Sequence, residues 1–392
     1  MTAPQRAPIR GVETLSVALP TRRQHRWTGL TEPIGVYLLV RVTDEDGTEG
    51  WGEAPALKDW SGDFGRYFGE SRATTRLIIE RYLAPLAIGR DPVDITGLHA
   101  AMDAQIGGYP YAKAALEMAV HDLAARQLGL PVAMLLGGIA RRHIPVTHSI
   151  GLIGIDEAVA ECARVAAEGI RTIKIKVGID AARDVEIVGA VRDAVGSGVA
   201  LCVDANCGYA TPGDAIRTIR RMERHDLLYA EQPVAGLARV AEVRRGIGVP
   251  VMIDESCWGP ADVIEAVRLG AADIVSIYTT KPGGLARGMA VAATAAAAGL
   301  VCNLNGSVET GVGNLANIHL AAAAPAATLS CVVPVSTPAE AQEGRIAGIY
   351  YRDDLLAQPM RFEDGAITLP EGPGYGIAVD PAKIDAYRIA DA

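Results

Sequence analysis

TIKIK (172–176), ALCVDAN (200–206), LLYAEQP (227–233) and VPVMIDES (249–256) are four short apolar runs that each end in charged or amide side chains. From Lys176 to Asp204 to Glu231 to Asp254 the steps are 28, 27 and 23 residues, the length of one strand–helix unit. The interval continues outward. IPVTHS (144–149) places His148 before Lys176, DIVSIY (273–278) places Tyr278 after Asp254, LVCNLN (300–305) places Asn305 beyond that, and TLSCVV (328–333) follows. Helical patterns at 155–168, 181–195, 213–224 and 261–269 separate them. Eight evenly spaced strands alternating with helices predict a closed parallel barrel, not an open sheet.

In such a barrel the C-terminal strand ends share one mouth. A single strand-end acid is often only a helix cap. Three in register beside paired lysines argue for a site. Asp204, Glu231 and Asp254 would offer hard oxygen ligands to a Mg²⁺-like cation. Lys174 and Lys176, two apart on one strand, face the same side. Two crowded ammonium groups disfavour double protonation, which would push one of them toward a base.

The 392 residues exceed a barrel of about 190 residues, so a second domain is expected. Hydrophobic content of 49% supports a sizeable core. A net charge of −9 without a basic run argues against a nucleic-acid partner. The six cysteines (162, 202, 207, 257, 302, 331) form no CxxC pair and read as reduced thiols of a cytoplasmic protein. MTAPQRAPIR at the N-terminus has no apolar signal region. Residues 288–308 carry no charge, but their Ala and Gly content reads as a barrel helix and strand, so no membrane partner is expected.

In front of the barrel, residues 8–56 read as antiparallel strands with a turn at Asp44-Glu45-Asp46-Gly47. Helical patterns follow at 71–87 and 109–128, the second stopping at Gly129 with Pro131 beyond. The segments 21–33 and 57–71, rich in Gly, Trp and charge, are either solvent loops or a pair of lids over the mouth.

The ordered set KxK, DAN, EQP and DES, with LPVAMLLGG (130–138) and KPGG (281–284), resembles the enolase superfamily and within it the muconate lactonizing enzyme subgroup, over about residues 8–380. The resemblance implies an α/β fold, a modified TIM barrel (β/α)7β under an α+β capping domain built from the N-terminal region and the C-terminal tail. Residues 1–140 would form the cap, 141–335 the catalytic barrel, and 336–392 a segment returning to the cap. It implies one Mg²⁺ per subunit held by Asp204, Glu231 and Asp254. It implies Lys176 as the base that removes a proton α to a carboxylate, with Lys174 as a second positive charge. Asn206 and Glu255 would support the ligands. A small-molecule carboxylate is the expected substrate, and a homo-oligomer the expected assembly.

One departure redirects the chemistry. Subgroup members that move protons on both substrate faces carry a lysine on the sixth strand. Here SIYTTKPGG (276–284) has Tyr278 in that place, with Lys281 as a later loop residue. A phenol is a poor base toward carbon but a competent acid toward a departing hydroxide. The last strand, Val332-Val333-Pro334-Val335, also lacks the acids with which dipeptide epimerases grip an ammonium. Dehydration is therefore expected, with cis-3-hydroxy-L-proline dehydratase as the most similar group and Δ1-pyrroline-2-carboxylate as product. The alternative is a racemase or epimerase of amino-acid, proline or dipeptide derivatives, in which Trp27 or Trp60 cradles a cationic nitrogen. A non-catalytic metal-binding barrel would not need crowded lysines. His148 reads equally as a substrate contact or a structural histidine. Asn305 and Glu309 are placed near the pocket by family position, Tyr375 could reach the mouth, and His319 falls in a helix.

Overall fold

The computed structural model describes residues 6–22, 24–30, 33–60, 69–306, 308–333 and 350–390. Strands β1 (Ile9–Ala18), β2 (Val36–Asp44) and β3 (Glu49–Ala54) form an antiparallel sheet in that order. The β2–β3 turn closes through Gly47 N–H to the Asp44 carbonyl (3.2 Å), with Gly47 at φ +86°. Helix Pro110–Leu128 lies on this sheet at unusually short range. A Cβ on Gly50 or Gly52 would stand 2.2 Å from the Ala119 carbonyl or 2.0 Å from that of Ala115, so Gly-Trp-Gly is what lets helix and sheet touch.

The single helix expected over 71–87 is three pieces: Arg72–Ile78, a π-helical turn Ile79–Leu83, and Ala84–Ala87. Pro85 in the last piece cannot accept a regular turn before it, and a π turn absorbs the misfit. Helix Ile95–Gln105 escaped the sequence reading; it begins where Asp94 accepts the Gly97 N–H at 3.0 Å.

The short strand β4 (His143–Pro145) leads into the barrel. There β5 (Thr147–Ile150), β6 (Thr172–Lys176), β7 (Ala200–Asp204), β8 (Leu227–Glu231), β9 (Val251–Ile253), β10 (Ile274–Ile277) and β11 (Val301–Leu304) pair in sequence order, all parallel. Helices 155–167, 181–195, 212–222, 237–246, 260–269, 285–297 and 311–323 connect them and their successor. The expected eighth strand is not a strand. TLSCVV makes only isolated bridges, Cys331 to Val146 and the preceding Ala327 to Cys302. Its backbone still closes the barrel: Cys331 N–H reaches the Pro145 carbonyl (2.8 Å), Thr147 N–H the Cys331 carbonyl (2.8 Å), and Val332 N–H the Leu304 carbonyl (2.9 Å). A few bonds on each side suffice where both neighbours are already fixed. Pro334 and Val335 lie outside the described residues, as do 336–349 of the expected third segment.

After residue 350 the chain runs back toward the cap, with Tyr351 bridged to Thr21 and Arg388 to Val17. On the way, β12 (Phe362–Glu363) pairs with β13 (Ala366–Thr368), and β13 with β4. Cys162, Cys202, Cys257, Cys302 and Cys331 are buried, and Cys207 is half-buried. Among the described residues no helix is long and apolar enough to cross a membrane.

Candidate active site

Register brings the charged strand ends side by side: Lys176 lies opposite Asp204, and Asp204 opposite Glu231. The Lys174 ammonium sits 3.1 Å from Asp204 and 3.2 Å from Glu231. Lys176 donates to Asp204 Oδ2 (2.6 Å) and Asn206 Oδ1 (2.7 Å), and Asn206 donates onward to Glu255 (2.8 Å). Asn305 donates to Glu231 at 2.9 Å. Asp254, one residue past β9, accepts from the Tyr278 hydroxyl at 2.9 Å and from Lys281. A side chain not singled out from sequence orders this edge. Gln232 accepts the Asp254 N–H (2.9 Å) and the Ser256 N–H (3.2 Å) through one oxygen and donates to Ser256 Oγ (2.8 Å).

All of these groups except the half-buried Asn206 are buried, so their charges act in a poorly screened medium. Burial alone would raise Asp204, but Lys176 and Lys174 outweigh it and hold the carboxyl down near 2. Burial, then repulsion from Asp204, pushes Glu231 well above the carboxylate range. Burial with Asp254 and Asp204 lifts Glu255 to about 7. Burial would lower Lys174, but Glu231, Asp204 and Asp254 reverse that and hold it protonated. The expectation that lysine crowding depresses one of the pair therefore does not describe Lys174, because the carboxylates dominate its field.

Among the described residues no three His, Cys, Asp or Glu side chains stand as a preformed metal cluster. Ammonium groups occupy the positions between the acids. The donor chemistry nonetheless fits a small hard cation: three carboxylates on adjacent strand ends, almost solvent-free, with Glu231 raised by burial and by a repulsion that a cation would relieve.

The cavity above is walled by Lys174, Lys176, Asn206, Tyr278, Asn305, Trp27 and Trp60. Trp27 lies over Lys176, its ring centroid 5.6 Å from Nζ. Trp60 stacks on Tyr278 at 5.2 Å and on Trp258 at 5.4 Å. Residues 23, 31–32 and 61–68 of the two expected lids lie outside the described residues, but the portions that carry Trp27 and Trp60 face the cavity. Burial and the surrounding carboxylates hold the Tyr278 phenol well above its usual range, so it is a neutral donor.

Two expectations are overturned, a substrate contact for His148 and a reach to the mouth for Tyr375, while Lys281, His319 and Glu309 lie where they were expected. His148 points away from the cavity, bonding Glu161 of helix 155–167 at 2.7 Å, because the alternation of β5 turns its neighbour Ser149 inward. Lys281 follows β10 in a turn, where it is buried, donating to the backbone carbonyls of Asp254 and Ser276 (both 2.9 Å) as well as the Asp254 carboxylate. Tyr375 lies under the cap helix, donating to the Met118 carbonyl at 3.0 Å. His319 is a core histidine pushed down to about 4 by burial, accepting from Ala133 N–H and donating to the Tyr375 carbonyl. Glu309 sits behind the wall, its Oε2 2.6 Å from where a Cβ on Gly306 would stand. His25, Ser149, Val308 and Tyr350 line the cavity without having been foreseen. Their contribution comes from distant segments that carry no motif.

Family models of the mandelate racemase / muconate lactonizing enzyme N-terminal domain and of an enolase C-terminal domain-like region match residues 11–137 and 157–383. The chain belongs to the mandelate racemase and muconate lactonizing enzyme family of the enolase superfamily. It is 34% identical to muconate cycloisomerase 1 of Rhodococcus opacus over 97% of this chain and 98% of that one. It is 31% identical to an N-succinyl-L-Arg/Lys racemase of Bacillus cereus over 72% and 76%. Among solved structures, 2-chloromuconate cycloisomerase from Rhodococcus opacus superposes with a TM-score of 0.88 at 31% identity, covering 98% of this chain and 100% of that one. These relatives are enzymes, and general proton-abstraction chemistry is what they have in common with this chain.

Proposed function

We propose that this enzyme removes the proton α to a carboxylate with Lys176 and expels a β-hydroxyl as water with the help of Tyr278, acting on cis-3-hydroxy-L-proline. The observation that carries the reading is a pairing: Lys176, with Lys174 beside it, and one neutral phenol line a single cavity, with the phenol in the sixth-strand place. Asp204, Glu231 and Asp254 would hold one Mg²⁺. When bound, that ion supplies Lewis-acid stabilisation of negative charge on the substrate carboxylate.

The residues divide the remaining work. Lys176, as the base, takes the α-hydrogen as a proton and the C–H electron pair is delocalised onto the substrate carboxylate; that pair then forms the Cα–Cβ double bond as the Cβ–O bond breaks. Tyr278 gives its proton to the departing hydroxide, which leaves as water. Lys174, held protonated, adds fixed positive charge beside the carboxylate. Trp27 and Trp60 exclude water from the pocket. The enamine product tautomerises to Δ1-pyrroline-2-carboxylate. In cis-3-hydroxy-L-proline the α-hydrogen and the hydroxyl lie on opposite ring faces, which suits a base and an acid on different strands.

A racemase or epimerase of amino-acid derivatives is the second reading, favoured by the B. cereus racemase among the relatives. Incubation with cis-3-hydroxy-L-proline and Mg²⁺, followed by borohydride trapping, separates the two. The dehydratase yields proline from the reduced imine. Recovery of epimerised hydroxyproline without proline, or faster turnover of cis,cis-muconate assayed alongside, overturns the proposal.

A further inference from the structure

The loop after β11 carries a strained residue that the proposed chemistry does not account for. Val308 adopts φ +62°, a left-handed conformation that a β-branched side chain strongly disfavours. It also lines the cavity shared by Lys176 and Tyr278. Strain at such a place persists only when the surroundings over-determine it.

The surroundings here are two tyrosines from opposite ends of the chain. The Tyr37 hydroxyl, from β2, donates to the Val308 carbonyl at 2.8 Å, and the Tyr351 hydroxyl, from the returning tail, reaches the same oxygen and the Tyr37 hydroxyl. Their rings meet edge to face at 5.9 Å. Burial holds both phenols well above their usual range, so both remain donors. A carbonyl oxygen accepts two bonds, so one strained peptide can absorb the pair. The residues just beyond are tied to the same sheet. Glu53 of β3 accepts the Thr310 N–H (2.9 Å), the Thr310 hydroxyl (2.5 Å) and the Gly313 N–H (2.9 Å).

We infer that Tyr37 and Tyr351 are positioning residues. They clamp Val308 in the left-handed region and so make its side chain a specificity-determining wall of the pocket. The cap sheet and the C-terminal tail thereby set the shape of the barrel site at this point. The inference rests on the Lys176–Tyr278 cavity being the substrate site, but not on which reaction occurs there.

Valine-methyl-labelled enzyme reads the clamp directly, with Val308→Ala assigning the signals. In Tyr37→Phe/Tyr351→Phe the Val308 methyl signals should move or broaden, each single variant should show a smaller change, and Val332 on the same cavity should stay in place. With cis-3-hydroxy-L-proline as the probe, KM should rise about tenfold while kcat stays within about twofold, the mark of lost binding alone. Superimposable Val308 signals in the double variant overturn the inference, even if its Tm falls, because that outcome is ordinary core stabilisation. If the double variant does not fold, unchanged Val308 signals in both single variants overturn it equally. The methyl readout needs no turnover, so it stands even if the dehydratase reading fails.

Discussion

The Tyr278 hydroxyl lies 2.9 Å from Oδ2 of Asp254, and Lys281 holds the other oxygen of the same carboxylate. The phenol of the sixth strand is therefore oriented by a group on the fifth, and its ring is packed between Trp60 at 5.2 Å and the Lys281 ammonium at 4.4 Å. Tyr278→Phe should keep α-proton exchange in D₂O and slow elimination by about 10²–10⁴-fold, the usual worth of a general acid. The ratio of deuterated substrate to imine product measures the split. Equal losses in both would remove Tyr278 from the leaving-group role.

Mg²⁺ should stabilise the fold only while all three strand-end acids are intact. At 100 times its Kd a ligand adds about 2.7 kcal/mol to stability. Thermal melts with rising Mg²⁺ should therefore show an increase in Tm in the natural protein. The increase should vanish in Asp204→Asn, Glu231→Gln or Asp254→Asn. A full Mg²⁺ response in Asp254→Asn would move the ion elsewhere.

Burial lifts Glu53 of the cap sheet to about 8, against its bonds from Thr310 and Gly313 and with Glu309 adding to the rise. A carboxyl raised on folding binds its proton more tightly in the native state. Its stabilising contribution is full below about pH 4.5 and is lost as pH climbs through about 8. Stability should fall by up to about 1.4 kcal/mol per pH unit across that window from this group. Glu53→Gln should flatten the slope in denaturant titrations at several pH values. An unchanged slope would mean that Glu53 is ionised throughout.

Glu117 ties the cap to the barrel helix that follows the KPGG turn. Its carboxylate accepts the Leu285 N–H (2.8 Å) and the Ala286 N–H (2.9 Å), and His99 and His121 flank it. Gly284, at φ +132°, would bring a Cβ to 2.4 Å from the Glu117 carboxyl carbon. Glu117→Ala should cost about 2–4 kcal/mol by stranding buried donors, and Gly284→Ala should also destabilise by forcing a disfavoured φ. Urea unfolding tests both, and a loss under about 0.5 kcal/mol in either would show that the latch is not used.

The barrel and its acid-bearing strand ends were legible because period and chemistry coincide: each of Lys176, Asp204 and Glu231 ends an apolar run at one fixed interval. The eighth strand misled because its apolar pattern is real while its pairing is reduced to bridges at Ala327 and Cys331. His148 misled for a related reason. Its place in the run was right, but a strand's alternation decides which neighbour looks inward, and Ser149 does. The burial of Lys281 could not be read from its loop position, since its partner Asp254 follows a different strand, β9, while Ser276 lies in the strand just before it. The Tyr37–Tyr351 pair, 314 residues apart, has no local signature.

The central claim is that Lys176 is the only carbon base and that elimination proceeds without inversion. It is tested most directly by following cis-3-hydroxy-L-proline in D₂O with Mg²⁺ by NMR. The account predicts loss or exchange of the α-hydrogen on one face only, accumulation of imine carboxylate, and neither event in Lys176→Ala. Inversion at the α-carbon at the rate of turnover would contradict it and leave the enzyme an epimerase.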